Sequence, residues 1–103
     1  MNESFQKVRD LLERVPRRHN ADNVKEINSI VDEYEDVLRQ LESNPQLEPV
    51  IAGYFEALDP IRRTIKESNH AKHSKKAKDD LFDDASGQLK DSMEDLLRLE
   101  ASL

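Results

Sequence analysis

Apolar residues return every three or four positions along most of the chain, and this spacing predicts amphipathic helices with no competing strand. Phe5, Val8, Leu11, Leu12 and Val15 form the first stripe, ended by Pro16 and the polar run Arg17-Arg18-His19-Asn20. In the second, Val24, Ile27, Val31, Tyr34, Leu38 and Leu41 keep a strict heptad, flanked by Ile30 and Val37. Asn23 and Glu26 have the spacing of a capping box, in which each side chain serves the other's free amide. Ser43-Asn44-Pro45 closes this segment, because proline cannot extend the hydrogen-bond ladder.

The third stripe comprises Leu47, Val50, Ile51, Tyr54, Phe55, Leu58, Ile61 and Ile65. Asp59-Pro60 interrupts it: either the helix kinks there or Asp59 caps a new one with Pro60 at its first position. The unbroken apolar phase up to Ile65 favours the kink. The fourth stripe holds Leu81, Phe82, Ala85, Leu89, Met93, Leu96, Leu97 and Leu99. Between them, residues 66–79 have only Ala71 and Ala77 as apolar positions, yet lack proline and glycine, so part of this stretch is expected to be helical. Gly53, set between Ala52 and Tyr54, reads as a point of close helix packing.

The expected fold is thus all-α: one domain over residues 1–103, an antiparallel bundle of three to four helices near 3–18, 22–43, 46–68 and 74–101. Leu, Ile, Val and Phe make up 26 of 103 residues, enough for a core but a thin one, against 37% charged residues. A domain this small buries a modest share of its surface, so a second chain is expected to complete it.

Composition removes several chemistries. With no cysteine there is no disulfide, thiolate metal site or Cys nucleophile. Neither a leader-like apolar run near the N-terminus nor a membrane-length segment is present, and a cytoplasmic location is expected. No glycine-rich phosphate loop or nucleophile elbow occurs. The many carboxylates lie on charged helix faces, where nothing pushes their pKa values apart for acid–base work. A non-enzymatic protein with no cofactor is expected.

Charge is unevenly distributed. Residues 1–61 and 79–103 are each strongly acidic, whereas 62–78 carries Arg62, Arg63, Lys66, Lys72, Lys75, Lys76 and Lys78 against Glu67 alone. This belt suits a phosphate backbone or another polyanion, but contains no Phe, Tyr or Trp to stack on bases. The plainer reading pairs it with acidic faces of the chain itself, such as Asp32-Glu33-Glu35-Asp36 or Asp79-Asp80-Asp83-Asp84. Glu67, His70 and His73 have the spacing of half a di-metal site, though among lysines that repel a cation.

These readings converge on a non-catalytic module for protein–protein contact, an adaptor, assembly subunit or small chaperone acting as a homodimer. Tyr34, Leu38, Leu41, Tyr54, Phe55 and Leu58 are the expected contact residues. The alternative is a regulatory protein holding nucleic acid or another polyanion through the basic segment 62–78.

Overall fold

The computed structural model describes residues 2–103. Four helices follow one another: α1 (Asn2–Arg14), α2 (Ala21–Glu42), α3 (Glu48–Ser68) and α4 (Lys75–Ala101). Each packs against the next, α3 against α4 most extensively, and α4 returns to α1 to close the ring. Cross-helix pairs set the directions. Ser4 meets Gln40 and Lys7 meets Glu33, while Arg14, further along α1, meets Glu26, earlier on α2. Likewise Arg9 pairs with Glu100, and Ser86 donates to the Pro16 carbonyl. The helices run antiparallel, as short connections require.

All four stripes converge on one core. Tyr34, Phe5 and Phe82 are the largest side chains in it, joined by Leu11, Ile27, Ile30, Leu38, Leu41, Leu47, Ile51, Leu58 and Ile61. Each such burial stabilises by roughly 1.5–3 kcal/mol. Among the described residues, the only exposed large apolar side chains are Val50 (45%) and Leu103 (56%). The stripes are therefore covered within one chain.

Several local expectations are corrected or narrowed. α1 ends at Arg14 rather than near residue 18, because Pro16 forces the chain out of the helix and Arg17 and Arg18 enter the connection. The N-cap of α2 is Asn20, not Asn23: the Asn23 amide donates to Asn20 Oδ1 at 2.7 Å, and the Asn23 side chain donates to the Arg18 carbonyl. Glu26 is turned instead to Arg14. α3 runs as one α-helix through Pro60, so Asp59 does not begin a new helix. Thr64 Oγ1 donates to the Pro60 carbonyl at 2.8 Å. The 66–79 stretch divides: α3 continues to Ser68, residues 69–74 connect, and Ser74 caps α4 by accepting the Ala77 amide.

Candidate functional site

The expected contact residues separate into two groups. Tyr34, Leu38, Leu41 and Leu58 lie inside the chain's own core, which engages the heptad seam of α2 internally. Tyr54 and Phe55 are half-buried at the core's edge. Only the latter pair reaches the surface of this fold.

Tyr54 leads to a groove. Between α3 and α4, Gly53, Tyr54 and Ala57 face Gln88, Asp91, Ser92 and Asp95 across about 430 Å³. On α3 the lining is small because Gly53 and Ala57 sit four apart, on one helix face. A Cβ placed on Gly53 would meet nothing within 4 Å. The expectation of close packing at this glycine is thus overturned: its open space faces outward. Exposed Val50 lies one turn before it. The α4 wall is acidic, with Asp95 paired to Arg98. Tyr34 reaches this wall from beneath, its phenol 2.9 Å from Ser92 Oγ. Burial pushes that phenol well above its ordinary pKa.

The second surface is an end of the bundle. Up-and-down topology places the connections 15–20 and 69–74 together, so Arg17-Arg18 joins the 62–78 belt, from which it is remote in sequence. A groove of about 490 Å³ between Arg17, Arg18, His19, Asn20 and Lys75, Asp79, Asp80, Asp83 records the meeting. Beside it, Val24 and Asn28 of α2 line a hollow with Arg62, Ile65, Lys66, Asn69, His70 and Ala71.

Ion pairing sharpens this polarity. Lys7, Arg9, Arg14, Arg39, Arg62, Lys72, Lys76 and Arg98 each lie within 4.0 Å of a carboxylate. In the belt, Arg62 reaches Asp32 and Glu35, Lys72 reaches Glu67 and Lys76 reaches Asp80. Arg17, Arg18, Lys25, Arg63, Lys66, Lys75, Lys78 and Lys90 make no such pair among the described residues, and all but Lys90 belong to this end. The Lys7 and Arg14 pairs hold the Glu33 carboxyl below its usual range, Lys7 contributing most.

At the same end, Glu67 meets His73 rather than His70: His73 Nε2 is 2.7 Å from Glu67 Oε1, and Lys72 Nζ is 3.2 Å away. His70 Nδ1 instead accepts the Lys72 amide. The i, i+3 half-site does not assemble, because α3 stops before His70. No cluster of three His, Asp or Glu able to hold a metal occurs among the described residues. The His19 ring rests edge-on against Phe82, and its Nε2 is the one buried side-chain polar atom without a hydrogen-bond partner among the described residues.

No described helix is long and apolar enough to cross a membrane. Compared with protein-family models, with curated proteins and with solved structures, the chain matches none.

Proposed function

We propose that the protein is a non-catalytic interaction module that captures a partner helix in the groove between α3 and α4. The observation that carries this reading is Gly53. Mid-helix glycine costs roughly 1 kcal/mol relative to alanine, and nothing in the chain's own packing requires one there. Gly87 is equally open but does not line this groove; at Gly53 the open space lies on the groove floor, where a partner backbone can approach closely.

The chemistry of the walls describes the occupant. Gly53, Tyr54 and Ala57 offer an apolar floor, with exposed Val50 one turn before it, and Asp91 with Asp95 an acidic rim. A helix with a small or apolar ridge flanked by Lys or Arg complements both, the arrangement of helix-in-groove recognition. Self-association through the α2 seam is not part of this reading, since Leu38 and Leu41 are occupied within the core.

Panning a phage-displayed library of helical peptides on the immobilised protein tests the proposal. Enriched sequences should carry basic residues flanking an apolar ridge and should lose binding to the Gly53→Trp variant. Absence of enrichment, or peptides indifferent to that substitution, would rule it out.

A further inference from the structure

We infer that the cationic end of the bundle is a second docking surface, one that takes an acidic segment of another protein. It is independent of the α3–α4 groove, lying at the other end of those helices.

The fold supplies the reason. Among the described residues, eight of the 16 Lys and Arg side chains lie beside a carboxylate, and of the eight that do not, all but Lys90 fall at the cationic end. At the cationic end, Arg17, Arg18, Lys66 and Lys75 are drawn from one connection and two helices and have no described carboxylate within 4.0 Å. An anionic partner therefore meets side chains free to pair, even though Asp79, Asp80 and Asp83 share the groove with three of them. With a screening length of about 8 Å at physiological salt, the acidic far half of a molecule 45 Å long barely weakens that attraction.

The distribution of the charges selects the partner class. Asp79, Asp80 and Asp83 line the same groove as Arg17, Arg18 and Lys75. A nucleic-acid duplex presents a charge about every 1.7 Å and would press phosphates against those aspartates. It would also find no exposed Phe, Tyr or Trp at this end. An acidic peptide carries its charges further apart and bends, so its carboxylates reach the cations while its amides face the aspartates.

The test is fluorescence anisotropy with a labelled Glu-rich peptide of about a dozen residues, long enough to span the groove, and in parallel with a labelled DNA duplex. Wild type should bind the peptide more tightly than the duplex and lose about tenfold in affinity between low and physiological salt. Arg17→Glu/Arg18→Glu/Lys75→Glu should weaken peptide binding by at least about tenfold, or 1.4 kcal/mol, with circular dichroism unchanged. Lys90→Glu should leave it within about twofold. No peptide binding at low salt, equal loss in Lys90→Glu, or tighter binding to the duplex would overturn the inference. A salt-sensitive dimer abolished by the triple substitution would overturn it in favour of self-association. Should the triple variant unfold, Arg17→Gln/Arg18→Gln takes its place under the same criteria.

Discussion

The phenol of Tyr34 and the hydroxyl of Ser92 meet at 2.9 Å across the diagonal of the bundle, joining helices that are not neighbours in its ring. Tyr34 is wholly buried while Ser92 lines the α3–α4 groove. One hydrogen bond thus ties the core to the groove wall. Tyr34→Phe should lower stability by about 0.5–1.5 kcal/mol in urea denaturation at neutral pH. The sign of the pH effect follows from the raised phenol pKa, caused chiefly by burial. Stability from the neutral phenol is complete below its unfolded pKa of 10.0 and is lost as pH rises toward the folded value. Removing the phenol should flatten that alkaline loss.

Leu38 and Phe55 were both legible as contact positions, yet they should respond oppositely to charge. Leu38→Asp places a carboxylate in the core with no partner, at a cost on the order of 4 kcal/mol or more. Its helical circular dichroism should collapse on mild heating. Phe55→Asp, at the partly buried edge of the core, should keep the helical spectrum and lose only about 1 kcal/mol. Equal tolerance of both would mean that α2 does not face inward as described.

Gly53→Ala should stabilise the isolated protein by about 0.5–1 kcal/mol. The added methyl meets open space, and the unfolded chain loses freedom. A lowered melting temperature would show that something of the chain's own occupies the space.

The Glu67 carboxyl is held below its ordinary 4.5, first by the His73 hydrogen bond and then by Lys72. A depressed carboxyl stabilises above its unfolded pKa, and the contribution disappears as pH falls through the folded value. Amide exchange in residues 69–74, corrected for its intrinsic pH dependence, should therefore accelerate on acidification through the carboxylate range. In Glu67→Gln the segment should already exchange faster at neutral pH and show little of that acid step.

His19 offers the reverse experiment. Its Nε2 is buried without a partner, and such a group costs about 1–3 kcal/mol. His19→Phe keeps an aromatic edge against Phe82 and removes the orphaned atom, so thermal stability should rise by an amount equivalent to about 1 kcal/mol. A fall would mean the ring nitrogen has a role in the folded chain.

The stripes were readable because burial imposes a 3.6-residue period on whichever face is inside, so Val8, Ile27, Ile61 and Leu89 announce themselves. Caps were less so: Asn20 and Asn23 are both suitable, and the choice depends on how the chain emerges from Pro16. The groove was hidden because glycine reads alike whether the space before it is filled or empty. The cationic end was half visible. Its 62–78 portion stands out as a run, but Arg17 and Arg18 enter only through topology, which linear charge counting does not contain. Tyr34 and Leu38 show the converse, a seam regular enough for a partner but filled by helices of the same chain.

The segregation of charge also governs posture. A chain of pI ≈ 5.0 is ordinarily repelled by an anionic plane at neutral pH, yet this one has a tip with a local cationic excess at one end of a 45 Å axis. Such a body is a permanent electric dipole, and a charged plane exerts an aligning torque on it as well as a net force. On an anionic support it should stand upright with the 15–20 and 69–74 turns down, and on a cationic one it should invert. Either way its long faces, the α3–α4 side among them, remain turned toward the surrounding medium.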